Sequence, residues 1–339
     1  MDIIQVDNIK TIKRVKSKSL KNHKYVLIDS WVGERIQSYV NSTESLLVET
    51  FEYEHMKATF YFYDTEHLHQ RVKYYHQLVL AYLVVKQCFE NGAFFEIKIT
   101  ILMTLFEKEI DSNIFRCENI NSGFTSLICE SNIREIVIFR EEEWLKVAIH
   151  EMLHAMDLTP FDDPGIRIKN QIDSHFIKNS NVTSSSSYDT FLSEAYTEFI
   201  AQLLYFKIQK LLTGNLEEHA IENSLQKSWE TIKQMLDKSN CDTLSHLRNN
   251  DTINTCQWKE ETSAYGYFII RTLFVNQRKS INTWLINNNH GKIRVDFVKL
   301  FNLYLEFGQV SDNYRGVERK HSPDTFKIRM SYLQEFKSV

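Results

Sequence analysis

REIVIFREEEWLKVAIHEMLHAMD, residues 134–157, reads as a strand leading into a helix, and the fold is read outward from it. Residues 134–140 are rich in β-branched and aromatic types, which favours a strand. Glu141, Glu142 and Glu143 follow, placed to open a helix where the positive end of its dipole favours them. Trp144, Val147, Ile149, Met152 and Leu153 carry an apolar side to about Asp157, and Pro160 limits continuation. Upstream, residues 123–129 (GFTSLIC) predict another strand, joined by the short link 130–133. Residues 94–102 (FFEIKITIL) alternate apolar and polar as a half-buried strand does, and residues 58–63 (ATFYFY) read as one more. Between those two, residues 66–90 have helical spacing, with Gly92 as the stop. Downstream, residues 179–189 (NSNVTSSSSYD) read as a flexible loop. Helices are expected at 190–212, 217–238, 261–276 and 295–307.

Within the central helix, residues 150–154 (HEMLH) match H-E-x-x-H. Positions i and i+4 share one helix face, so the imidazoles of His150 and His154 can reach a single ion. Zinc accepts neutral imidazole nitrogens and prefers four tetrahedral ligands. A catalytic site keeps one position for water, so one more protein ligand is needed. Glu151, beside His150, is angled to take a proton from that water. A zinc site of the H-E-x-x-H-x-x-G-x-x-H kind is excluded, because Asp157 and Pro160 stand at its Gly and last His positions. Residues 191–204 (FLSEAYTEFIAQLL) offer Glu194 and Glu198 one helical turn apart, beside the apolar Leu192, Ala195, Phe199 and Leu203. Inward-facing carboxylates need a cation or donors to offset desolvation. Glu194 is the expected third ligand, and Glu198 the acceptor that fixes a ligand His tautomer. The reverse assignment, and an ordinary helix with two solvated carboxylates, stay open. Asp157, Asp162 and Asp163 are more simply turn and capping residues.

The chain has 339 residues, 43% hydrophobic and 25% charged, which is ordinary for a globular protein. Only three Pro and nine Gly favour long helices over a turn-rich β-sandwich. A net charge of −4 argues against nucleic acid as a general partner. One basic stretch, Lys10, Lys13, Arg14, Lys16, Lys18, Lys21 and Lys24, suits a solvated arm; a nuclear address or an anionic partner is the other reading. Five cysteines (Cys88, Cys117, Cys129, Cys241 and Cys256) contain no C-x-x-C pair, which suggests reduced thiols. There is no signal-peptide pattern and no apolar run long enough to span a bilayer, so a cytoplasmic, membrane-free protein is expected, and the Asn41, Asn181 and Asn250 sequons are read as chance.

HEMLH followed about forty residues on by SEAYTE resembles the H-E-x-x-H and N-E-x-x-x-D arrangement of gluzincin-type zincin metallopeptidases. Ser193 stands for the usual Asn and Glu198 for the Asp, so the second-shell role of residue 198 is the part in doubt. The order strand, helix, strand, edge strand, strand, active helix also resembles the zincin N-terminal subdomain. Residues 134–157 further resemble zincin-like proteins of large DNA viruses of eukaryotes. The resemblance implies an α+β, zincin-like fold with a small mixed sheet, an active-site helix and a mainly helical C-terminal subdomain. The corresponding parts are an extension at 1–57, the sheet-bearing subdomain at 58–160, the Ser-rich loop at 161–189 and the helical subdomain at 190–339. It also implies peptide hydrolysis, a substrate strand added along Gly123, Phe124 and Thr125, and a phenol that stabilises the oxyanion. In residues 260–268 (EETSAYGYF), Tyr265 is preferred over Tyr267, with Thr262 capping the helix after it. A non-catalytic protein-binding module is the competing expectation, against which Glu151 would have no chemical use. Hydrolysis of another amide bond would use the same residues.

Overall fold

The computed structural model describes residues 32–88, 95–110, 113–127, 132–158, 188–214, 218–241, 257–290, 292–308 and 326–328. The basic stretch, most of the Ser-rich loop, Asp162, Asp163, Cys129 and Cys256 lie outside them. The fold is α+β with a small mixed sheet, and the chain divides into two units.

The first unit holds β1 (Leu47–Tyr53), β2 (Met56–Phe62), β3 (Glu96–Met103), β6 (Gly123–Leu127) and β7 (Ile133–Ile138) in the order β1-β2-β3-β7-β6. β2, β3 and β7 run parallel, while β1 and β6 are antiparallel additions at either end. The parallel β2–β3 pair needs a crossover, supplied by α2 (Thr65–Lys86). Asp64 caps that helix, its carboxylate accepting from His67 N at 2.9 Å. Strand alternation sends Phe60, Phe62, Ile99, Ile101, Ile136 and Ile138 to one buried face. There Trp144 of α4 (Trp144–Ala155) meets Phe60 and Tyr74 edge-on at 5.9 and 5.5 Å, which joins β2, α2 and α4. On the other face α1 (Glu34–Ser42) buries Ile36 and Val40 against Val48, Tyr61, Leu102 and Val137. The sheet is therefore covered on both sides.

Several expectations change here. The boundary at residue 57/58 falls inside β2, and residues 34–57 carry α1 and β1, whose short patterns sequence periodicity passes over. Of Glu141–Glu143 only Glu143 joins the start of α4, as its N-cap, and none lies in the first turn. Glu143 has φ 61°, in the left-handed region, so the run makes a turn and the helix begins at Trp144. Glu141 instead accepts from His67 Nε2 at 3.1 Å, and Asp64 pairs with the other ring nitrogen. Burial lowers the His67 pKa, but the hydrogen bonds and charges of Glu141 and Asp64 outweigh it and leave it raised. α4 ends at Ala155, and Asp157, two residues on, is also left-handed at φ 52°, with its carboxylate 3.9 Å from the Arg134 guanidinium.

The second unit contains β4 (Lys108–Ile110), β5 (Ile114–Phe115), α3 (Cys117–Ile120), the first part of α5 (Tyr188–Thr213), α6 (Glu218–Lys238), β8 (Lys259–Glu260), a π-helix (Tyr265–Ile270), α7 (Arg271–Asn276), α8 (Arg278–Asn289), α9 (Phe297–Gly308) and β9 (Phe326–Ile328). Residues 204–212 of α5 group with the first unit. β4 pairs with β9 and β5 with β8. The helix expected at 261–276 is thus a π-helix continued by α7. Cys241 is disulfide-bonded, against the expectation of reduced thiols throughout. Ser239 O accepts from Gln257 N at 2.7 Å, so the fold brings distant chain alongside Cys241, a proximity that cysteine spacing does not encode. Among the described residues no helix is long and apolar enough to cross a membrane.

Candidate metal centre

α4 carries His150 and His154 one turn apart, with His150 only 6% exposed. Their Nε2 atoms face each other at 3.0 Å. Two ligands of one tetrahedral zinc stand about 3.3 Å apart, given zinc–nitrogen distances of about 2.0–2.1 Å. The pair is therefore close to the spacing such an ion needs. Each of His150, His154 and Glu194 offers one ligand atom, and these atoms all lie within 4.8 Å of one another. No other group of this kind occurs among the described residues. Two imidazoles and a carboxylate form a donor set that could hold a divalent transition-metal ion.

Glu151 is held on β6. Its Oε2 accepts from the Thr125 hydroxyl at 2.7 Å, and the same hydroxyl lies 3.1 Å from the Glu151 carbonyl oxygen. A Cβ placed on Gly123 would stand 2.8 Å from Val147 Cγ1 and 3.5 Å from Glu151 Cγ. Only a residue without a side chain lets the strand come this near the helix. Phe124, on the alternate face, packs with the α1 cluster. Of the three residues expected to bind substrate, Thr125 hydrogen-bonds Glu151, Gly123 lies close against Val147, and Phe124 points to the opposite layer.

On α5, Glu194 is half-buried and Glu198, one turn later, is 1% exposed. The Tyr267 hydroxyl donates to Glu194 Oε2 at 3.3 Å. Tyr267 sits in the π-helix, whose N-terminus is fastened by Glu260: the carboxylate takes the Tyr265 N–H at 2.7 Å. That bond does the capping expected of Thr262, whose carbonyl instead accepts from Ala264 N. Burial pushes the Glu260 carboxyl up to about 8, partly offset by the Tyr265 N–H. Tyr265 itself is buried, its ring edge-on to Trp258 at 6.2 Å.

The sequence singles out Thr125 and Tyr267 without the contacts they make. Two-residue strand periodicity places Gly123 and Thr125 on one face, which is the signal that could have linked both to Glu151. Nothing local marks Glu260. Comparison with protein-family models, with curated proteins and with solved structures finds no match to this chain.

Proposed function

We propose that the chain is a zinc-dependent metallopeptidase, with His150, His154 and Glu194 holding the metal and Glu151 acting as the base. The convergence of one ligand atom from each of those three residues within 4.8 Å carries the reading. Zinc bound there would polarise a carbonyl and acidify water.

Glu151 takes a proton from the water that adds to the peptide carbonyl carbon, and returns it to the nitrogen as the C–N bond breaks. Its carboxylate is already oriented by Thr125. Tyr267, rather than Tyr265, is the phenol we assign to this centre, because its hydroxyl reaches Glu194. Glu198 remains the candidate for orienting a ligand imidazole.

The chain purified with added zinc should contain about one zinc per molecule by elemental analysis and should cleave members of a peptide library. Glu151→Gln should keep the metal and lose turnover by roughly three orders of magnitude or more. Zinc absent from the wild-type chain, or full turnover in the Gln variant, would overturn the proposal.

A further inference from the structure

We propose that Thr125 is a positioning residue that fixes the Glu151 carboxylate. A carboxylate can only accept, so the hydroxyl donates; the 2.7 Å separation is that of a strong hydrogen bond to a charged oxygen. Oε2 is thereby committed to the strand, while Oε1 takes no hydrogen bond from any described residue. The strand comes this close to α4 because Gly123 has no Cβ to meet Val147 Cγ1. Gly123 lets β6 approach the helix, and Thr125, the next but one, fixes how the Glu151 head turns. A base held this way presents one oxygen in one direction, which is what proton transfer along a defined path needs.

The same strand geometry gives Thr125 a second outlook. Phe139 N donates to Ser122 O at 2.9 Å, and Phe124 stands opposite Val137. In an antiparallel ladder, main-chain groups alternate between the paired and the outer edge. Those of Ser122 and Phe124 face β7, so those of Gly123 and Thr125 face outward, on the last strand of the sheet. Thr125 thus turns its side chain to the base and its backbone to the edge where an extended chain could pair. The catalytic consequence rests on the metallopeptidase reading; the positioning does not.

Thr125→Val keeps the branched shape without the hydroxyl, and Thr125→Ser keeps the hydroxyl without the methyl. In full-length protein with 13C-labelled glutamate, the Glu151 signal (assigned by its loss in Glu151→Gln) should report an ordered side chain in the wild type and in Thr125→Ser. In Thr125→Val it should show rotamer averaging. With zinc loaded, and with a quenched-fluorescent peptide selected from a library by the wild-type chain, Thr125→Val should lose about 10–100-fold in kcat with KM and zinc content unchanged. Thr125→Ser should restore most of it. An ordered Glu151 in Thr125→Val overturns the proposal, as does an unchanged kcat, or a Ser variant as impaired as the Val variant. If Thr125→Val frees Glu151 but the wild-type chain cleaves no peptide, the positioning stands and the metallopeptidase reading falls.

Discussion

Gly123 sits where a methyl group would meet Val147 Cγ1 at 2.8 Å and the Val137 carbonyl oxygen at 3.0 Å. The first neighbour can shift; the second is main chain within the sheet. Gly123→Ala should therefore lower stability by about 1–3 kcal/mol, the usual cost of overpacking, measurable as an earlier urea midpoint with unchanged slope. An unaltered midpoint would mean that strand and helix separate without penalty. Residue placement was legible in the sequence where spacing alone suffices. His150 and His154 share a helix face one turn apart, and Glu194, offered with Glu198 as one of two assignments, is the carboxylate with an atom within 4.8 Å of both. Thr125 was legible only as a strand residue, because its hydroxyl meets Glu151 through the register of β6 against α4, which no local pattern carries.

Among the elements, the π-helix and its tether make a pH-dependent unit. Glu260 is 3% exposed, and burial lifts its carboxyl to about 8 from an ordinary value near 4.5. Between those two values the folded chain keeps a proton that the unfolded chain loses, so stability should fall as pH rises through the window. The total is of order 5 kcal/mol at most. Glu260→Gln cannot ionise and should flatten this slope, gaining on the wild type towards pH 8 in denaturant titrations run across the range. A Gln variant with the wild-type slope would mean that the carboxyl titrates normally. The long elements, α2, α5, α6 and β3, were legible because their periodicity spans many residues. β4, β5, β8 and β9 were not: each has two or three residues, and their pairings link chain as far apart as Lys108 and Ile328. The split of 261–276 was equally hidden, since apolar spacing does not distinguish a π turn from an α turn.

For the whole molecule, a metal that binds only the folded chain adds to its stability by mass action, about 2.7 kcal/mol at a hundredfold excess over Kd. Added zinc should raise the thermal midpoint by several degrees, a chelator should reverse the rise, and His150→Ala should abolish it. An equal rise in that variant would place the metal elsewhere. Composition and periodicity suggest a strand-bearing part followed by a helical one. They give no sign that residues 107–120 group with the second unit and 204–212 with the first. Such returns depend on packing between long-separated stretches of chain.

The π-helix at Tyr265–Ile270 carries one residue more per hydrogen-bonded ring than an α-helix would. Deleting Gly266 would let the stretch rewind as an unbroken α-helix into α7, and each residue before the cut would swing about 100° around the axis. A more regular rod would result, with the phenol of residue 267 rotated relative to the tether at Glu260. A chain shaped only for helical regularity would have no reason to retain the extra residue. Here it sets the bearing of a hydroxyl.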